Sequence, residues 1–246
     1  MQSQHQTGCV LGCDCEWTPS NFLQQIELTV EEREARSKVA TLQLATPNGL
    51  VAIIPLCHAD SALKQLISDV LENRNVTKVG INVANDACLL KRDWFPNSTF
   101  KSFFDLRFLY FDWISRQADS AQANLADSSP VKPKRKRVIR SSTKYLAHKF
   151  LRQPLRSKKE HLPVLLTDWS SEQLSQQQIE YAANDAFVCA AVFHILVGSY
   201  RDERNDDHEK KLPPVVEDNL DMDYNTKNQK KTKDSCTRST HSYAQP

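Results

Sequence analysis

The stretch Cys9-Val-Leu-Gly-Cys-Asp-Cys-Glu-Trp17 sets two acidic residues into an otherwise apolar segment. Alternate residues of a β-strand share a face, so as a strand it projects Asp14 and Glu16 together and turns Cys13 and Cys15 away into a core. An unpaired charge inside an apolar strand is costly, which marks the acidic pair as more than surface decoration. Working outward, residues 10–15, 39–45, 50–56, 78–81 and 100–104 are short, rich in Val, Ile, Leu or Phe, and bounded by turn residues such as Pro47-Asn48-Gly49, and read as strands. Residues 61–71 and 85–93 carry apolar residues at helical spacing, 106–114 continues as a third helix, and 142–151 as a further one. A long final helix is expected over 171–197, with a break in it. Three strands followed by helix–strand–helix–strand define an α/β fold: a mixed sheet of about five strands, the first three an antiparallel meander, flanked by helices.

Two further motifs add acidic groups at aimed spacings. Asn82-Val-Ala-Asn-Asp86 supplies Asp86, and Tyr181-Ala-Ala-Asn-Asp185 places Tyr181 one helical turn before Asp185. Four clustered carboxylates cannot all ionise side by side without a counter-charge. Hard divalent cations supply one, and oxygen ligands are those that Mg²⁺ and Mn²⁺ prefer. Two such ions, about 3.5–4 Å apart, clamp the attacking and leaving oxygens of a phosphodiester cleavage.

Composition sets bounds around this chemistry. The chain of 246 residues holds one domain with a full core plus a tail, and 40% apolar with 25% charged residues is ordinary for a globular protein. Residues 1–6 are polar and unlike a signal peptide, and the longest apolar run, 186–197, is interrupted by His194 and too short to span a bilayer, so it reads as a buried helix. Seven cysteines, odd in number and without a Cys-x-x-Cys pair, point to reduced thiols in an intracellular setting rather than to a disulfide framework or zinc site. The net charge of +2 conceals strong local blocks. Residues 116–140 contain Lys132-Pro-Lys-Arg-Lys-Arg137 and too few apolar groups to fold, and 201–246 is acidic and then basic. The expected organisation is therefore a domain over 1–200 with a basic disordered insertion at 116–140, and a disordered charged tail over 201–246.

Taken together, Leu11-Gly-Cys-Asp-Cys-Glu-Trp17, Lys78-Val-Gly-Ile-Asn-Val-Ala-Asn-Asp-Ala-Cys-Leu-Leu90 and Gln177-Gln-Ile-Glu-Tyr-Ala-Ala-Asn-Asp-Ala186 resemble the three motifs of the DEDD superfamily of 3′–5′ exonucleases, in the branch with a tyrosine in its third motif. The chain is similar to Werner-type exonuclease domains and to the exonuclease 3′–5′ domain-containing proteins. Thr41-Leu-Gln-Leu-Ala45, Phe104-Asp-Leu-Arg107 and Thr167-Asp-Trp-Ser170 also fit, and the likeness spans roughly residues 8–196. The resemblance implies a ribonuclease H-like sheet with the site at one end of the first strand. It also implies that Asp14 bridges two ions, Mg²⁺ or Mn²⁺, that Glu16 and Asp185 complete the ion activating water, and that Asp86 holds the second mostly through water. Tyr181 then orients the attacking water, which is positioning rather than proton abstraction. The implied reaction is hydrolysis from single-stranded or frayed 3′ ends of DNA or RNA, releasing nucleoside monophosphates.

Several residues have blander readings. Asp93 and Asn85 compete with Asp86 for the second motif's ligand, and Asp105 reads as a helix cap for the segment beginning at Leu106. Asn82 reads as a strand-end turn residue. The run 132–137 resembles a nuclear address, with phosphate binding and a plain linker as alternatives and mitochondrial or cytoplasmic residence also open. Lys158 and Lys159 read as strand contacts or plain surface. Residues 17–38 form a longer connection than the family's usual one, with a helical pattern from Thr29. Two rival functions differ in class: a catalytically silent nucleic-acid-binding adaptor, against which the complete acidic set argues, and a dehalogenase-like phosphatase, whose chemistry wants Asp where Glu16 stands.

Overall fold

The computed structural model describes residues 9–123, 141–155 and 163–206. Its centre is a five-stranded sheet of β1 (Cys9–Trp17), β2 (Val39–Ala45), β3 (Val51–Pro55), β4 (Val76–Gly80) and β5 (Phe103–Asp105), in the order β3-β2-β1-β4-β5. β1 pairs antiparallel with β2, and β2 with β3, which is the expected meander. β4 joins the other edge of β1 in parallel, and β5 joins β4 in parallel. The main helices among the described residues are α1 (Ser20–Leu23), α2 (Val30–Arg36), α3 (Ser61–Glu72), α4 (Val83–Asp93), α5 (Leu106–Ala123), α6 (Thr143–Leu146) and α7 (Gln176–Asp206), with one wide helical turn over Ala147–Leu151.

Strand alternation divides the two layers as the first motif requires. Cys13 and Cys15 are buried with Leu42, Leu56, Leu71 and Leu90 on the side covered by α3 and α4. The opposite face meets α7. There Gly12 lets two backbones touch: a Cβ at this position would lie 1.9 Å from the Ala186 carbonyl oxygen, so only glycine permits the approach. Behind α7, a second core joins Val188, Val192 and Leu196 to Leu106, Leu109 and Leu146. Within α7, Gln176–Tyr200 is long and apolar enough to cross a membrane by length and composition, longer than the 186–197 run suggests; Val188, Val192 and Leu196 are buried in the second core, while Ile179 and Ile195 are exposed.

Local chemistry explains where the elements differ from the sequence reading. α7 runs unbroken and begins at Gln176, not at residue 171, because Ser175 and Gln178 exchange hydrogen bonds across the helix start. That is a capping box, Ser-x-x-Gln, written in the sequence at Ser175-Gln-Gln-Gln178. The same helix continues to Asp206, past the expected domain end at residue 200. α5 likewise runs on to Ala123, so residues 116–123 of the expected insertion are helical. The rest of that insertion, Lys158, Lys159 and the tail beyond residue 206 lie outside the described residues. β5 begins at Phe103, since Phe100 sits in a loop with its ring buried against Phe95 and Phe103.

Candidate active site

Glycine at position 12 lets α7 lie on β1, and this brings Asp185 over the pair projected by the strand. One carboxylate oxygen from each of Asp14, Glu16 and Asp185 lies within 4.8 Å of the others, and all three residues are half-buried. Burial raises the Asp14 carboxyl well above the usual carboxylate range, and Asp185, Glu16 and Asp86 push it further by repulsion. Glu16 is raised in the same way, by burial first and then by Asp185 and Asp86. Such a recess stores electrostatic repulsion that a cation would relieve.

Asp86 stands beside this trio rather than within it. It is 6% exposed, in the first turn of α4, and its carboxyl is pushed up to about 7, mainly by burial, with Asp105 adding repulsion and an Asn85 hydrogen bond opposing the rise. The competition with Asp93 is resolved by geometry: Asp93 accepts the Val39 backbone N–H at 2.9 Å and pairs with Arg92, so it anchors the start of β2. Asp105 is a cap, accepting the Arg107 backbone N–H at 3.0 Å. It also accepts the Asn82 N–H at 3.1 Å, which steadies Asn82 in a left-handed conformation (φ 62°) where β4 turns into α4. Asn and Asp are the non-glycine residues that tolerate this conformation, and the turn aims α4 so that Asp86 faces the recess.

Tyr181 lies one turn before Asp185, and its phenol O–H donates to the Asp185 carboxylate. Burial, followed by the charges of Asp185 and Glu16, drives the phenol's ionisation far above its ordinary range. Tyr181 therefore stays protonated and serves as a donor, not a base. Its ring packs 6.2 Å from Trp169.

A loop that motif reading singled out only as Thr-Asp-Trp-Ser turns out to frame the site. Asp168 accepts from Thr18 at 3.1 Å and from Arg36 at 2.6 Å, while the Trp169 N–H donates to Thr18 Oγ1 at 3.0 Å. Gln178 Nε2 donates to Thr167 Oγ1 at 3.0 Å and to the Asp168 carbonyl at 3.1 Å. The loop is thus tied to the end of β1, to the long connection before β2, and to the first turn of α7. Thr18 and Asp168 are 150 positions apart, so no local signal in the sequence pairs them.

The chain belongs to the 3′–5′ exonuclease family, whose model matches residues 1–199. It is 28% identical over 216 residues to Exonuclease 3′-5′ domain-containing protein 2 of Homo sapiens, covering 85% of this chain and 29% of that protein. To the protein of the same name in Drosophila melanogaster it is 29% identical over 196 residues, covering 80% and 27%. It therefore spans under a third of the length of these curated relatives. Among solved structures, the EXO domain of Aedes aegypti Nibbler superposes with a TM-score of 0.54 at 17% identity, over 80% of this chain and 81% of that one, a likeness of fold.

Proposed function

We propose that this domain is a metal-dependent 3′–5′ exonuclease of the tyrosine-bearing DEDD branch, working on single-stranded or frayed 3′ ends of DNA or RNA and releasing nucleoside monophosphates. The observation that carries the reading is the convergence of Asp14, Glu16 and Asp185 within 4.8 Å, in a family of 3′–5′ exonucleases. An all-carboxylate donor set, with Asp14 and Glu16 raised by burial and acidic neighbours and Asp86 raised mainly by burial, suits hard divalent cations such as Mg²⁺ or Mn²⁺. Asp14 would bridge two ions, Glu16 and Asp185 would complete one, and Asp86 would hold the other through water. When bound, the ions supply charge stabilisation at the phosphoryl oxygens and a more acidic attacking water.

The remaining work falls to the chain itself. Tyr181, held protonated and braced by Trp169, orients the attacking water by its hydroxyl, while Asp185 one turn on fixes the phenol's direction. In-line attack then forms the new P–O bond as the 3′ oxygen of the penultimate nucleotide departs. A silent adaptor has no use for four carboxylates kept against their mutual repulsion. Residues 1–200 are proposed as the catalytic domain, with 201–246 as a charged tail and the basic run 132–137 as a nuclear address.

The test is digestion of 3′- and 5′-labelled DNA and RNA oligomers with Mg²⁺ or Mn²⁺, beside Asp14→Asn. Stepwise shortening from the 3′ end, lost in the variant and in chelator, is expected. Endonucleolytic products, or cleavage surviving in Asp14→Asn, would overturn the assignment.

A further inference from the structure

Two buried side-chain atoms among the described residues have no hydrogen-bond partner: the amide oxygen of Gln43 and the indole nitrogen of Trp169. One is an acceptor and the other a donor. Leaving either unsatisfied costs about 1–3 kcal/mol, whereas apolar groups of the same shape would occupy both places almost without penalty. Their location gives the polarity a purpose.

The ladder register places Gln43 directly opposite Asp14 on one side and Ile53 on the other, and Thr41 opposite Glu16. Directly paired residues project from the same sheet face. That face is the one carrying Gly12, against which α7 lies. Gln43 is 0% exposed there, and its amide nitrogen donates to Thr41 Oγ1 at 2.6 Å, leaving the oxygen free. Ile53, its β3 neighbour, packs in one cluster with Trp169, Ala182 and Tyr181. The glutamine therefore sits between an acidic ligand candidate and the group of side chains that hold Tyr181. Trp169 is itself 1% exposed, fixed by its backbone N–H to Thr18, with its ring inclined at 56° to that of Tyr181.

We infer that Gln43 and Trp169 are the two ends of one buried hydrogen-bonded link made through a single water, and that this link positions Tyr181. The indole N–H donates to that water, which donates in turn to the Gln43 amide oxygen; Thr41 fixes the other end of the amide, and the locked indole ring sets the tilt of the neighbouring phenol. Gln43 is thus a positioning residue acting through Tyr181, and this role rests on the reading of Tyr181 as the group that orients the attacking water.

The experiment uses the full chain with Gln43→Met, Trp169→Phe, the double variant, and Gln43→Met combined with Tyr181→Phe. Thermal unfolding in chelator reads the link without reference to catalysis. Each single variant should lose several degrees, and the double variant no more than the worse single. Additive losses would overturn the link. Should Trp169→Phe fail to fold, the ¹H–¹⁵N indole signals serve instead: one of the four tryptophan resonances should move upfield and exchange faster in Gln43→Met, and an unmoved spectrum would overturn the link.

Single-turnover cleavage of a labelled oligonucleotide reads the positioning role. Gln43→Met should lower turnover about tenfold with KM nearly unchanged, the signature of an interaction used mainly in the transition state. In the Tyr181→Phe background the same substitution should cost nothing further. An unchanged turnover, or a second tenfold loss in that background, would overturn the role of Gln43. Wild-type protein inactive on every oligomer would overturn the nuclease reading and this role with it, while leaving the unfolding cycle to decide whether the link exists.

Discussion

Replacing Asp86 by asparagine keeps the side chain's shape and deletes one buried ionisation, and the structure sets the size of the effect. In the unfolded chain this carboxyl loses its proton near pH 3.8; in the folded protein, burial holds the proton to about pH 7. Between those values the native state binds more protons than the unfolded state, so stability falls as pH rises. A displacement of about 3 units at 1.36 kcal/mol each is on the order of 4 kcal/mol by pH 8. Relaxation and water entry around a buried charge reduce this, and about half is a reasonable expectation. For a domain of this size, 1 kcal/mol moves the melting temperature by about 2–4 °C. Asp86→Asn should therefore melt roughly 5 °C above wild type at about pH 8 in chelator, with the gain vanishing below about pH 3, where both states are protonated. Mg²⁺ should then raise the melting temperature of wild type more than that of the variant, because the charge that strains the free protein is the one a cation uses. Scanning calorimetry across pH, with and without Mg²⁺, checks this. An equal gain at both pH values, or no gain at pH 8, would refute the electrostatic account of Asp86.

Other outcomes follow from the same geometry. Asp14→Asn and Asp185→Asn should each abolish metal-dependent cleavage while leaving the circular dichroism spectrum intact, since each removes a charged oxygen from the 4.8 Å cluster. Tyr181→Phe should cut single-turnover cleavage about 10²-fold with substrate affinity nearly unchanged, the scale of a lost positioning group. Asp93→Ala should leave ion affinity alone but lower the melting temperature, because it strips the Val39 N–H of its acceptor. Neutralising the lysines and arginines of residues 132–137 should abolish nuclear accumulation of a fluorescent fusion and leave the salt dependence of oligonucleotide binding unchanged; a salt slope lowered by several units would make the run a phosphate contact instead.

The parts of the fold legible in the sequence are those with a period. β2 runs from Val39 to Ala45 as alternation and turn residues predict, and α3 and α4 match their apolar spacing to within a residue or two. Asp14, Glu16 and Asp185 come together because strand and helix periods alone aim them, and the glycine that seats the helix lies in the same motif. What escaped has no local signature. Leu174 packs against the same cluster as Tyr181, at a spacing that imitates a helix, yet it belongs to the loop before Gln176. The wide turn ending at Arg152, which is left-handed at φ 55°, carries no glycine to announce it. The tie between Thr18 and Asp168, and the burial of the unpaired Gln43 amide oxygen, exist only once distant segments meet.

The contact at Gly12 reaches beyond the fold. Asp14 stands two residues along β1 from it, and Asp185 immediately precedes Ala186, whose carbonyl the glycine faces. Main chain rests on main chain, so the gap between these two acids is a gauge cut in peptide rather than in side chains. Substitutions elsewhere in the core cannot narrow it by tightening packing. Mg²⁺ bonds oxygen at about 2.0–2.1 Å and Ca²⁺ at about 2.3–2.6 Å, so the two ions ask for different spacings between such acids. Retuning its preferred ion calls for changing the reach of an acid, aspartate for glutamate or the reverse, one methylene at a time.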